Sequence, residues 1–166
     1  MKTLKNTLFA ILAVVLLTAN AKAQDKALNA PVNTMITDYL ALKDALVTGN
    51  GAAAEAKAKT LLSSIRTVPK TGLTTNELAI LLKLEFDSRH ISEVNNIPHQ
   101  REHFASLSNN LYTLIKKLKV NNIVLYRQYC GMTRRYFLSE SDKGKDPYMG
   151  MANCSKVTET LPAAKK

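Results

Sequence analysis

The chain lacks the short motifs that mark common enzyme sites. It contains no Gly-x-Ser-x-Gly nucleophile elbow, no phosphate-cradling glycine loop and no Cys-x-x-Cys redox pair. A His-x-x-x-His spacing does occur at His99 and His103, but Gln100 stands where a zinc protease needs its glutamate. These absences predict a protein that is not an enzyme.

Long apolar runs and dense clusters of one charge are also scarce. The net charge is +10, yet no lysine and arginine run interleaved with aromatics marks a nucleic-acid surface, so we expect no nucleic-acid partner. The one long apolar run, Leu8 to Leu17, precedes the small-x-small pattern Ala21-Lys22-Ala23. This order predicts a signal peptide over residues 1–23 and an exported, periplasmic protein that does not span the membrane after cleavage. An uncleaved inner-membrane anchor is the alternative.

Residues 24–166 have the length of one domain, which is large enough to bury a core without covalent cross-links. Between residues 31 and 120, apolar side chains recur every three or four positions in four segments, the period of an amphipathic helix. The stripes expected to face the core are Met35, Tyr39, Leu42 and Leu46; Ala54, Ala58, Leu61 and Ile65; Leu78, Leu82, Phe86 and Val94; and Phe104, Leu107, Leu111, Leu114 and Leu118.

Turn and capping signals separate these helical segments. Gly49-Asn50-Gly51 ends the first, Thr74 with Glu77 forms a capping box at the start of the third, and Pro98 stands in the first turn of the fourth. Short links between amphipathic helices favour antiparallel neighbours. The predicted fold is therefore mainly α, an antiparallel four-helix bundle with a small C-terminal strand and loop region.

The sequence changes character after Lys119. Residues 122–129 are rich in β-branched and aromatic side chains, which predicts a strand that runs into Cys130. The remainder is rich in glycine and is expected to form loops, with one more short strand and a final helical turn near Val157 to Leu161.

Sulfur is concentrated in this C-terminal region. It holds both cysteines, Cys130 and Cys154, and three of the five methionines, including Met132 and Met151. Thiolates and thioethers are soft ligands that select Cu(I) over calcium or magnesium. Side chains two apart in a strand share a face, which places Cys130 and Met132 together, and a helical turn would bring Met151 and Cys154 together. If the two segments meet, these four residues form a Cu(I) site.

The cysteines also have a second interpretation. In an oxidising compartment they can close one disulfide, leaving Met132 and Met151 as core-filling residues. The protein would then be a disulfide-stapled interaction module without metal, and a redox-gated site would combine the two states.

The histidines are weaker candidates for metal ligands. His99 and His103 lie four residues apart on one helical face, so both could reach one ion. His90 continues the stripe of Leu82 and Phe86, so it is expected to be a core or partly buried histidine rather than a ligand.

Several motifs carry a resemblance to a known family. They are His99-Gln100-Arg101-Glu102-His103-Phe104, Leu107-Ser108, Gln128-Tyr129-Cys130-Gly131-Met132, Asp146-Pro147-Tyr148 and Met151-Ala152-Asn153-Cys154. Over roughly residues 33 to 161, the chain resembles an uncharacterised exported bacterial domain family, a domain of unknown function. That family occurs alone and at the end of periplasmic adaptor subunits of copper and heavy-metal efflux pumps. The resemblance implies a protein that buffers Cu(I) or passes it to an efflux adaptor through the four sulfur ligands.

Overall fold

The computed structural model describes residues 27–150 and 154–164, which form four α-helices followed by a three-stranded sheet. The elements are α1 at 27–48, α2 at Gly51–Thr67, α3 at Thr75–Ser92, α4 at Ile97–Leu118, β1 at Leu125–Cys130, β2 at Arg135–Ser139 and β3 at Ser155–Leu161. The prediction of a mainly helical chain with a small C-terminal strand region is confirmed. The predicted signal peptide, residues 1–23, lies outside the described residues.

Several helix ends lie where the sequence signals place them, although α1 is described from residue 27 and α3 ends at Ser92, before Val94. Asn50 caps α2 by accepting a hydrogen bond from the backbone N–H of Ala53, and Thr74 and Glu77 form the predicted capping box at α3. Gly49 has a φ of +70°, a left-handed conformation that glycine adopts without steric penalty directly after a helix. Within the described ranges, no helix has the length and apolar character needed to cross a membrane.

Three of the four predicted apolar stripes face the core. The stripes of α1 and α2 are fully buried, and that of α4 is buried from Phe104 to Leu114, with Leu118 partly exposed at its end. Tyr39 of α1 stacks on Phe104 of α4, with ring centroids 5.1 Å apart. The prediction of an antiparallel bundle stays a prediction, although α3 packs against both α2 and α4.

The stripe predicted for α3 is wrong. Leu82 and Phe86 are half exposed, at 50% and 49%, while Leu81, Leu84 and Ile91 are buried in their place. The buried face of α3 also contains Asp87, Ser88 and Ser92. A pattern of apolar residues does not register these three polar residues. The predicted face therefore differs from the observed buried face by about one position.

Gln100 and Arg101 join the ends of other helices. The buried Gln100 side chain donates to the carbonyl of Val94, just after α3, and to that of Gly51, the first residue of α2, at 2.6 and 3.0 Å. The last carbonyls of a helix have no partner within it and need donors from outside. Arg101 donates to the carbonyl of Leu46 near the end of α1, at 2.8 Å. This Gln-Arg pair therefore stabilises the helical scaffold on which the C-terminal region rests.

The sheet has the strand order β2-β1-β3, and both pairings are antiparallel. The segment Val157 to Leu161, predicted as a helical turn, is instead most of strand β3. Its side chains are mostly exposed, as expected for an edge strand, and so they lack the apolar alternation that would have identified it. Tyr39 connects the sheet to the helices, since its hydroxyl accepts a hydrogen bond from the backbone N–H of Leu138 in β2.

Candidate redox and metal site

A disulfide joins Cys130 to Cys154 across the end of the sheet. Cys130 is the last residue of β1 and lies opposite Ser155, the first residue of β3. The strand register thereby brings Cys154 beside Cys130, with their Cα atoms 5.0 Å apart, a separation that suits a disulfide. The disulfide that was the second interpretation of the cysteines is therefore present, while the four-sulfur Cu(I) site stays a prediction.

A buried carboxylate accompanies the two sulfurs. Cys130 Sγ, Cys154 Sγ and a carboxylate oxygen of Asp146 all lie within 4.8 Å of one another. Cys130 and Asp146 have no exposed surface, whereas Cys154 is partly exposed. The arrangement thus has one accessible sulfur, one buried sulfur and one buried acid.

Only half of the Asp146 carboxylate is satisfied by hydrogen bonds. Its Oδ1 accepts from the backbone N–H of Tyr148 at 3.3 Å, while Oδ2 has no hydrogen-bond partner among the described residues. Burial raises the pKa of Asp146, and it outweighs the hydrogen bonds and the positive charges of Arg101 and Arg135, which act in the opposite direction. Buried polar atoms usually have a hydrogen-bond partner in native proteins.

The raised pKa of Asp146 predicts a specific dependence of stability on pH in the disulfide-bonded, metal-free protein. The native state holds the proton to a higher pH than the unfolded chain, whose aspartate titrates near pH 4. Stability contributed by this group is therefore lost as pH rises from about 4 through the native pKa. Asp146→Asn removes the titration while keeping an acceptor for Tyr148. Urea unfolding between pH 3.5 and 8 should show the variant gaining stability relative to the wild type as pH rises.

A matched control is Asp142→Asn, which changes an exposed carboxylate in the preceding loop. It should leave the pH profile of the wild type in place. If the free energies of unfolding of Asp146→Asn and the wild type differed by the same amount at every pH, this account would be contradicted.

The loop that carries Asp146 is hydrogen-bonded to strand β2 and lies against α1. Gly150 N–H donates to the carbonyl of Asp146 at 2.8 Å, and Tyr148 donates its hydroxyl to the carbonyl of Tyr136 in β2 at 2.6 Å. Gly150 has a φ of +69°, and a Cβ there would lie 2.6 Å from the carbonyl oxygen of Val47 in α1. Only glycine fits this contact, so the position of the acid depends on close approach of the loop to α1.

The methionines differ in what the structure says of them. Met132 lies in the turn after β1 with 66% of its surface exposed, so it is not a core-filling residue. Met151 lies outside the described residues. Sequence analysis missed Asp146 as a member of the site, although its Asp-Pro-Tyr motif was one of those that carried the resemblance.

All three histidines of the chain gather on the outer side of α3 and α4. The ring centroids of His99 and His103 are 4.8 Å apart, and those of His90 and His103 are 4.7 Å apart. The shared face predicted for His99 and His103 is thus present. His90 is partly buried, as expected, but it belongs to the same cluster.

Comparison with known proteins places the chain in a family. The model of the family described as "Protein of unknown function (DUF3347)" matches residues 35–122, more than half of the chain, and the chain belongs to that family. The match runs from α1 through α4 and ends before β1. No curated protein and no solved structure matches the chain.

Proposed function

We propose that this member of the DUF3347 family is a redox-gated, non-catalytic binding protein for a soft metal ion, with Cu(I) as its cargo. In the oxidised state the Cys130–Cys154 disulfide closes the site. In the reduced state the two thiolates bind the ion, since Cu(I) accepts two to four soft ligands without strict geometry.

The observation that carries this proposal is the meeting of two sulfurs and a carboxylate within 4.8 Å. A disulfide that only stabilises the fold does not require a carboxylate beside it, and burying a carboxylate costs stability. Beside two free thiols, the same carboxylate can accept a thiol proton as the thiolate forms. Met132, exposed in the adjoining turn, is a further soft ligand that the open site can recruit.

The gating step requires a dithiol reductant. A thiolate of the reductant attacks Cys154 Sγ, the accessible sulfur, and the S–S bond breaks to release Cys130 as a thiolate. The second thiol of the reductant then displaces Cys154, so that the reductant leaves as a disulfide and the protein holds two thiols. Two electrons and two protons are transferred in total, and Cu(I) displaces the thiol protons when it binds.

The sequence and the disulfide support a periplasmic setting for this function. The predicted signal peptide and a disulfide are both features of exported proteins, so we place the protein in the periplasm. There it buffers copper or passes it by sulfur-to-sulfur exchange to the adaptor of an efflux pump. The helices, which we take to form an antiparallel bundle, serve as the rigid support for the exposed site.

The test is a Cu(I) titration of the mature protein against a chromophoric chelator, carried out before and after reduction. The reduced protein should remove one equivalent of Cu(I) from the chelator, and the oxidised protein should remove none. Thiol counting confirms the redox state in each sample. Equal competition by both states, or no competition by the reduced protein, would contradict the proposal.

A second candidate function is a disulfide-stapled interaction module of the periplasm without metal. The disulfide itself favours this function, because a cross-link between the adjoining ends of β1 and β3 keeps these two strands paired. Under this alternative, reduction lowers stability and creates no Cu(I) affinity.

A further inference from the structure

We infer that a groove between the end of α4 and the end of β3 binds a small amphiphilic anion, an aliphatic chain that carries a single carboxylate. The groove has a volume of about 460 Å³, within the range of about 300 to 1,000 Å³ that is usual for small-molecule sites. Leu161, which lines it, pairs with Leu125 at the opposite end of the sheet from the Cys130–Cys154 disulfide. The inference therefore does not depend on the proposed redox site.

The lining of the groove is mainly apolar. Ile115 of α4 and Leu161 of β3 both line it, and both belong to the buried core cluster. Pro162, Ala163 and Ala164 line the side formed by the segment after β3. Because removing apolar surface from water is favourable, this lining suits a hydrocarbon chain.

Hydrogen bonds hold the sides of the groove together. Asn121, which is only 2% exposed, donates from its side-chain amide to the carbonyls of Ile123 and Pro162, both at 2.9 Å. Its own backbone carbonyl accepts from the N–H of Ala164 at 2.7 Å. One buried residue thus joins the segment after α4 to the segment after β3. The groove is therefore formed before a ligand enters, and binding need not order its walls.

The charged residues that line the groove leave one positive charge in excess. Lys116 and Lys119 are the two cations, and Glu159 is the one acid among the described residues that line it. Lys116 Nζ lies 2.9 Å from Glu159 Oε1, whereas the exposed Lys119 has no ion-pair partner within the described ranges. A single unpaired cation beside an apolar lining matches a carboxylate with an aliphatic tail better than it matches a dianionic phosphate.

The experiment is a calorimetric titration of the oxidised mature protein with sodium decanoate, below the concentration at which decanoate forms micelles. We expect saturable binding of one equivalent. Octanoate and hexanoate should bind more weakly, by about 2- to 4-fold for each methylene removed, because each methylene is partly or wholly buried. The neutral 1-octanol should bind about 3- to 5-fold more weakly than octanoate, because it cannot pair with a lysine.

Variants separate the two parts of the site. Ala163→Phe places a large side chain in the groove and should abolish binding. Lys119→Gln should weaken octanoate binding about 3- to 5-fold and leave 1-octanol binding unchanged. The matched control is Lys117→Gln, which removes an exposed lysine of α4 that does not line the groove and should bind as the wild type does. Circular dichroism verifies that each variant is folded.

A second measurement locates the ligand. Carbon-13 methyl spectra should show Ile115, Leu161 and Ala163 shifting when octanoate is added, while the methyl of Met132, in the turn after β1 at the other end of the sheet, stays unchanged. No saturable decanoate binding, or an octanoate affinity unchanged in Ala163→Phe or Lys119→Gln, would overturn the proposal. Binding to phosphatidylglycerol vesicles without binding of free decanoate would overturn it as well.

Discussion

Removal of the Cys130–Cys154 disulfide is expected to lower the free energy of unfolding by about 3 to 4 kcal/mol, as estimated from the chain entropy of the loop it closes. The two cysteines are 24 residues apart in sequence, and the cross-link restricts that loop in the unfolded chain. For a protein of this size, the melting temperature should fall by on the order of 10 °C. The measurement is urea unfolding of the oxidised wild type and of a Cys130→Ala, Cys154→Ala double variant.

The matched control is the same comparison with reductant present. Both proteins then lack the cross-link, so their free energies of unfolding should approach one another. Helices α1 to α4 should remain folded in both, because the cluster of buried apolar residues that forms their core does not include Cys130 or Cys154. An oxidised wild type no more stable than the double variant would show that the disulfide does not constrain the fold.

The largest effect on binding is expected from Cys130→Ser in the reduced protein, which should weaken Cu(I) affinity by at least about 100-fold. Serine replaces a soft thiolate with a hard hydroxyl of almost the same shape, so the ligand is lost with little change in packing. Cys154→Ser should have a comparable effect, since both sulfurs bind the ion. Competition titration against a chromophoric chelator measures both affinities.

Methionine substitutions provide the internal control for that experiment. Met132→Leu, which keeps the volume and removes the thioether, should weaken binding about 10-fold if Met132 is recruited as a third soft ligand. Met149→Leu alters another exposed methionine, 50% exposed in the loop after Asp146, and should bind as the wild type does. If the Cu(I) affinity were unchanged in both cysteine variants, the two thiolates would not be ligands of the ion.

The helices could be predicted because their signals are local. The end signal Gly49-Asn50-Gly51, the capping box of Thr74 with Glu77, and Pro98 are recognised from a few neighbouring positions, and the stripes of α1, α2 and α4 follow a single period. The buried face of α3 could not be predicted by the same method. It contains Asp87, a buried carboxylate that lies within hydrogen-bond distance of His103 Nδ1.

The candidate sites depend on contacts between segments that lie far apart in sequence. Two cysteines allow only one internal disulfide, so the partner of Cys130 was clear if a disulfide formed. The place of Asp146 beside them could not be predicted, because it depends on how the loop folds against α1. The three-histidine cluster likewise depends on which face of α3 meets α4. His90 was expected to be partly buried, and only the observed helix packing brings it to His103.

The most direct test of the redox-gated soft-metal site is X-ray absorption at the copper edge of the reduced protein loaded with one equivalent of Cu(I). The proposal predicts at least two sulfur neighbours, lost on re-oxidation as the disulfide forms and the ion is released. The Cys130→Ser variant should show one sulfur neighbour fewer than the wild type. Coordination by nitrogen and oxygen alone, in the reduced wild type, would contradict the assignment of Cys130 and Cys154 as the ligands.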